Sequence, residues 1–252
     1  MNHRSLLALV CLAGTATFTF AANPPAIPSE SIAKKKELLF EDNMDGPTHD
    51  AKWHRVVDTF AFENGMLKGT QTRVKDIPAQ DGKGAITAHA AVYGLELPTK
   101  DSVVEVKIKF DGCKMIDVEF DDRKYKDSHY GHLSRARVHL DKIVIMDERE
   151  GSQNEVLKAM RLDPAKQAEA GRQMAAHNAT FPLAAPLEQN KWYHLTVETV
   201  GEQMRVVLDG KPVAFFKSPG IGHATKSKIE LGVAGLSGWF DEIKVWNAQP
   251  AK

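Results

Sequence analysis

The segment Met115–Asp122 reads MIDVEFDD. Its strict alternation is the period-two pattern of a half-buried strand, with Ile116, Val118 and Phe120 on one face and Asp117, Glu119 and Asp121 together on the other. Three like charges in line repel unless something compensates them, so the face is a candidate for acid/base chemistry, a metal or a cation-lined groove. The ordinary wet side of an antiparallel strand gives the same pattern without chemistry. Upstream, Ser102–Phe110 places Val104, Val106, Ile108 and Phe110 on a dry side and Glu105, Lys107 and Lys109 on a wet one. Asp111-Gly112 reads as the turn of a hairpin between these two strands, which would set the lysines beside the carboxylates. Downstream, Leu133–Leu140 alternates Ala136, Val138 and Leu140 with Arg135, Arg137 and His139, supplying cations for the other flank.

Working outward, alternating runs recur between the turn dipeptides Asp45-Gly46, Asn64-Gly65, Asp81-Gly82 and Asp209-Gly210. They predict strands at Glu37–Asp42, Trp53–Asp58, Met66–Arg73, Ala85–His89, Lys142–Asp147, Trp192–Val200, Gln203–Leu208, Val213–Lys217, Ser227–Val233 and Trp239–Trp246. So many short strands imply an all-β chain of two packed sheets, a sandwich or jelly roll. One stretch breaks the pattern. Residues 154–177 are rich in Ala, Lys, Gln and Glu and predict helices at Asn154–Arg161 and Pro164–Ala176, the second started by Asp163-Pro164.

Residues 1–22 combine Arg4, an apolar run from Leu6 to Phe20 and Ala21-Ala22, the pattern of a secretory signal peptide. A secreted or periplasmic protein is expected, with a tether over 23–36, one jelly-roll domain over 37–248 and no second long apolar segment. Cys11 leaves with the signal, so Cys113 has no partner for an internal disulfide and reads as a packing residue. Lysine plus arginine and aspartate plus glutamate each number 33, which favours neither nucleic acid nor an anionic membrane as partner.

The connection Arg123–His132, RKYKDSHYGH, gathers Tyr125, His129, Tyr130 and His132 at the end of the acidic strand. Loops on a rigid sheet concentrate binding and catalysis, and histidine titrates near neutrality. Histidines and carboxylates together can hold a metal, but no specific ligand spacing is present. Aromatic faces with Arg, His and carboxylate groups suit sugar rings and hydroxyls, which makes carbohydrate the expected ligand. In that reading Glu119 is the principal acid/base, Asp117 and Asp121 tune it or activate water, and His129 and His132 supply a second proton-transfer group. Arg135, Arg137, Tyr130, Lys107 and His139 bind substrate. Trp192, Trp239 and Trp246 are expected in the core or between sheets.

The stretches Phe62–Gly69 (FENGMLKG), Lys191–Val197 (KWYHLTV), Leu208–Val213 (LDGKPV) and Phe240–Trp246 (FDEIKVW) resemble the concanavalin A-like lectin/glucanase superfamily. More narrowly they resemble its laminin-G-like and 3-keto-disaccharide hydrolase-like domains. The resemblance implies a jelly roll whose concave face holds carbohydrate, in an enzyme acting on poly- or disaccharides or in a non-catalytic lectin-like adhesion or scaffold domain. It also implies a structural calcium ion where the first and last strands meet, at Asp45, Gly46 and Asp241. Family-16 glycoside hydrolases carry Glu, Asp and Glu at alternate positions of one strand; Asp117, Glu119 and Asp121 occupy the matching positions with each acid exchanged. Positions 117 and 121 are roughly 13 Å apart along a strand. The shorter aspartates then favour an inverting separation of about 6.5–9.5 Å over the retaining one, or binding without catalysis.

Overall fold

The computed structural model describes residues 25–46, 50–57, 59–80 and 84–251. The signal peptide expected over 1–22 and the Asp81-Gly82 turn lie outside the described residues. Among the described residues thirteen strands run in chain order: β1 (Ala33–Asp42), β2 (Trp53–Arg55), β3 (Phe60–Glu63), β4 (Met66–Gly69), β5 (Ala91–Leu95), β6 (Ser102–Asp121), β7 (His132–His139), β8 (Lys142–Asp147), β9 (Asn178–Pro182), β10 (Trp192–Val200), β11 (Gln203–Leu208), β12 (Lys211–Lys217) and β13 (Lys228–Pro250). Helices α1 (Glu155–Leu162) and α2 (Gln167–Ala176) are inserted between β8 and β9.

Two long antiparallel strands organise everything else. β6 and β13 pair along most of their length, from Lys228 opposite Asp121 to Asn247 opposite Ser102. The N-terminal half of β6 belongs to the order β12-β11-β10-β6-β13, extended by β4-β3 and, along the end of β13, by β1. The C-terminal half belongs to β9-β8-β7-β6-β13-β5-β2. The core lies between these halves and includes Val104, Val106, Ile108, Phe110, Ile116, Val118, Phe120, Leu195, Val206, Ile229, Leu231 and Phe240. The even-numbered apolar set read from the sequence is therefore the set that packs, at a density where one misplaced methylene is felt.

The hairpin expected at Asp111-Gly112 does not form. Gly112 adopts φ +80°, yet the chain continues into the same strand, with register shifts opposite Gly235 at φ +115°. Positive φ at a glycine permits a bulge that bends a strand as readily as a turn that reverses it, and here both halves of β6 stay bonded to β13. The pairs Asn64-Gly65 and Asp209-Gly210, with both residues at positive φ, do close the β3–β4 and β11–β12 hairpins. The stretch Ala85–His89 makes only isolated bridges, and β5 follows it instead. The segments at 227–233 and 239–246 are one strand, β13. β1 starts at Ala33, inside the expected tether, and Arg205 fastens the residues before it by donating to the carbonyls of Pro28 (3.0 Å) and Ser29 (2.9 Å). Asn154 caps α1, its side chain accepting from the backbone N–H of Val156 and Leu157. Asp163 terminates α1 and does not start α2. Cys113 is buried, and burial pushes its thiol up to about 11, the environment of an inert packing residue.

Candidate functional site

Hydrogen-bonded register aligns one row across the outer face of the second half-sheet: Asn178 on β9, Met146 on β8, Arg135 on β7, Glu119 on β6, Glu230 on β13, Gly94 on β5 and His54 on β2. The next row runs Thr180, Val144, Arg137, Asp117, Gly232 and Val92. Gly94 is required where it stands, because the His54 ring occupies the space of a side chain and a Cβ would sit 2.0 Å from it.

The acidic face is not a wet face. Asp117, Glu119 and Asp121 are 1%, 4% and 0% exposed, and Glu148, Lys228 and Glu230 are buried with them. Carboxylates are almost never fully buried unless paired, and these are densely paired. Arg135 donates to Asp117 (2.9 Å), Glu119 (2.7 Å) and Glu148 (2.6 Å). Arg137 grips Asp117 through Nε (2.9 Å) and Nη2 (2.8 Å). His132 Nδ1 lies 2.6 Å from Glu119 and 3.1 Å from Asp121. Lys228 bridges Asp121 (3.1 Å) and Glu230. Arginines and histidine from β7 and lysine from β13 thus lie across the carboxylates and shut water out.

The network splits the acids into two kinds. Burial disfavours the Asp117 anion, but the charges of Arg137 and Arg135 overcome it and hold the carboxyl below its ordinary value. Glu230 is pushed up to about 7 by burial and by the charges of Asp121 and Glu119, against Lys228. Glu148 is pushed up to about 7 by burial, with the Glu119 charge adding to it and Arg135 opposing. Burial would lower His132, but Glu119 and Asp121 drive it up to about 11, so it is an imidazolium at neutral pH. Ligand atoms of Glu119, Asp121, His132 and Glu230 lie within 4.8 Å of one another. That is metal-site spacing, yet the imidazolium and Lys228 already supply the counter-charge.

Of the residues expected in the site, the structure brings together Asp117, Glu119, Asp121, His132, Arg135 and Arg137. It does not bring the others. Lys107 lies in the first half of β6, pairing with Glu242 at 2.5 Å, because β6 is not a hairpin. His139 sits at the far end of β7 against the Lys114 carbonyl (3.3 Å). His129 turns to Glu155 of α1 (3.2 Å), its ring centroid 6.4 Å from that of His132. Tyr130, at φ 51°, is 78% exposed and meets the His129 ring at a tilt of 59°. Sequence reasoning missed Glu230, Lys228, Glu148 and His54. Lys228 and Glu230 alternate with Ile229 and Leu231 as the acids alternate with Val118 and Phe120, and that signal could have found them.

Of the three residues expected to hold a calcium ion, Asp45 and Asp241 line one cavity of about 330 Å³, with Glu41, Asp42, Asn43, Glu242 and Lys244, and Gly46 is not part of its lining. Asp241 is raised by burial and by the neighbouring charges of Glu242 and Asp45. Converging carboxylates that destabilise one another are a donor set suited to a hard cation.

No family model matches the chain, and no curated protein is a significant match. Solved structures do match. The endo-β-1,3-glucanase of Pyrococcus furiosus superposes with TM-score 0.57 at 10% identity, covering 88% of this chain and 100% of that chain. The laminarinase of Rhodothermus marinus gives 0.55 at 12% identity, over 86% and 99%. SCLam, a non-specific endo-β-1,3(4)-glucanase from family GH16, gives 0.54 at 14% identity, over 89% and 94%. The fold is the concanavalin A-like jelly roll. At these identities the likeness speaks to architecture, so the chemistry of this jelly roll rests on its own residues. Among the described residues, no helix is long and apolar enough to cross a membrane.

Proposed function

We propose that this is an exported protein that recognises a carbohydrate on the face of the β9-β8-β7-β6-β13-β5-β2 half-sheet. The observation that carries the reading is the charged cluster of Arg135, Glu119 and Glu230 aligned in register across this face, with Arg137 and His132 beside it reaching the surface, their side chains 22% and 17% exposed. Hydroxyl groups accept from guanidinium and imidazolium and donate to carbonyl and carboxylate oxygens, and a floor of fixed charges holds those donors in place. Structural neighbours named as glucanases support the same ligand class. Titration calorimetry with a soluble β-1,3-glucan and a panel of neutral and keto sugars tests it. Saturable binding weakened about tenfold, near 1.4 kcal/mol, by Arg137→Ala is expected. No binding across the panel would overturn it.

Glycoside cleavage is favoured by a separate observation: Glu230, raised to about 7, stands among Glu119 and Asp121. Carboxyl groups gathered this closely, one of them raised, are a set that acid/base hydrolysis can use, and cleavage requires this buried network to open to substrate and water. Mass spectrometry should detect cleaved glycan with the unmodified protein and none with Glu230→Gln, which still binds. Absence of product from both makes the face a binding surface only. We also propose a structural calcium ion held by Asp45 and Asp241. Chelation should lower the melting temperature, and Asp241→Asn should remove that response.

A further inference from the structure

The other half of β6 carries a second ordered row that the carbohydrate reading does not use. Register aligns Lys68 on β4, Trp239 on β13, Lys109 on β6 and Trp192 on β10. Trp246 packs against a small cluster of Ala33, Val103 and Val200, while Trp192 is half-buried and Trp239, 9% exposed, is buried outside the main core cluster. Lys109 Nζ lies 4.8 Å from the ring centroids of both Trp192 and Trp239, and Lys68 Nζ lies 5.0 Å from that of Trp239. Two ammonium groups are therefore held on one indole. Lys68 has Glu63 at 3.4 Å, whereas no carboxylate of the described residues lies within ion-pair distance of Lys109. The Trp239 ring is itself fixed, its Nε1 donating to Asp111 at 3.0 Å.

An ammonium over an aromatic face is positioned without being neutralised, and its remaining donors point to solvent. Two such cations on one ring repel, and an anion accepting from both relieves the repulsion. We propose that this face binds an acidic polysaccharide, with Lys109 and Lys68 contacting its carboxylate or sulfate groups and the row of four strands setting the line of the chain. Single-stranded nucleic acid fits less well. Base stacking needs open ring faces, and Trp239 is 9% exposed beneath its lysines.

The test is titration of the full chain with chondroitin sulfate, in parallel with a neutral β-1,3-glucan and a single-stranded oligonucleotide. Lys109→Met keeps the stem over the indoles and removes the charge. Chondroitin sulfate binding should weaken with salt and fall about tenfold in Lys109→Met, with a smaller loss in Lys68→Met and rescue by Lys109→Arg. Neutral-glucan binding should be unchanged in Lys109→Met, and Arg137→Ala should leave chondroitin sulfate binding unchanged, so the two faces fail separately. No chondroitin sulfate binding, equal binding by Lys109→Met, or equally tight binding of the oligonucleotide would overturn the proposal.

Discussion

The two halves of β6 obey the same alternation and reach opposite ends. In the first half the outward residues Glu105, Lys107 and Lys109 remain partly open to water, Lys109 covering tryptophans, Lys107 pairing with Glu242 and Glu105 with Lys35. In the second half the outward residues Asp117, Glu119 and Asp121 are as buried as the core residues between them. A period of two assigns a side chain to a face. Whether that face meets water depends on the strands alongside. Next to the first half lie Trp192, His194 and Trp239; next to the second lie Arg135, Arg137 and Lys228, whose charges close over the acids, Glu230 included.

The comparison is broken most strongly at Arg135. Its guanidinium serves three carboxylates, and removing one partner of a buried ionic group leaves uncompensated charge, at a cost of about 3–5 kcal/mol. Arg135→Ala should lower the unfolding free energy by about that amount in urea titrations. A loss below about 1 kcal/mol would mean that water reaches this face and that the burial contrast between the halves is false.

Glu119→Gln sharpens the contrast by a smaller amount. It keeps the shape, removes the charge shared by His132 and Arg135, and should cost about 1–3 kcal/mol. Its signature is the titration of His132, read by NMR. In the unmodified protein the folded-state value, about 11, lies above the ordinary 6.5. The resulting stabilisation is fully present below 6.5 and is lost as pH rises through 11. Glu230 and Glu148, raised from 4.5 to about 7, act in the same direction, their contribution being lost between those values. The melting temperature should therefore fall steadily from pH 5 to pH 10, and the part above 6.5 should shrink in Glu119→Gln, where His132 titrates nearer neutrality. A flat profile in both proteins would remove the buried imidazolium from the picture.

These numbers bear on what the sequence made legible. The apolar set of β6, the two hairpins at Asn64-Gly65 and Asp209-Gly210, and the helical insertion follow from local chemistry: alternation, tolerance of positive φ, and the helix-favouring composition of residues 154–177. Asp111-Gly112 was ambiguous because a positive φ at Gly112 serves a turn and a bulge equally, and pairing with β13, more than a hundred residues away, decides between them. The same long-range pairing explains the site. Arg135, Arg137 and His132 were readable as neighbours because β7 follows β6 closely, while Lys228 and Glu230 arrive from the far end of the chain. The hairpin reading puts Lys107 at the site and the bulge removes it, whereas His139 lies on the expected neighbouring strand but opposite Met115, beyond the acids.

The smallest expected effect lies on the open half. Lys107 meets Glu242 at 2.5 Å, shorter than any of the three contacts Arg135 makes in the buried network, but both side chains are well exposed, 36% and 49%. Distance alone would rank this pair with Arg135–Glu148 at 2.6 Å. Solvent argues otherwise: an exposed ion pair is screened by water and salt, and ordering two long side chains offsets what remains. Lys107→Ala should change the unfolding free energy by about 0–1 kcal/mol and the remainder should vanish in high salt. The Arg135→Ala loss should survive the same salt, because its carboxylates are out of reach of counter-ions. If salt erased both losses alike, burial would not be what separates the two halves of β6. If it erased only the Lys107 loss, equal alternation and nearly equal distances would be shown to carry unequal energies for one reason, the side chains that lie across the strand.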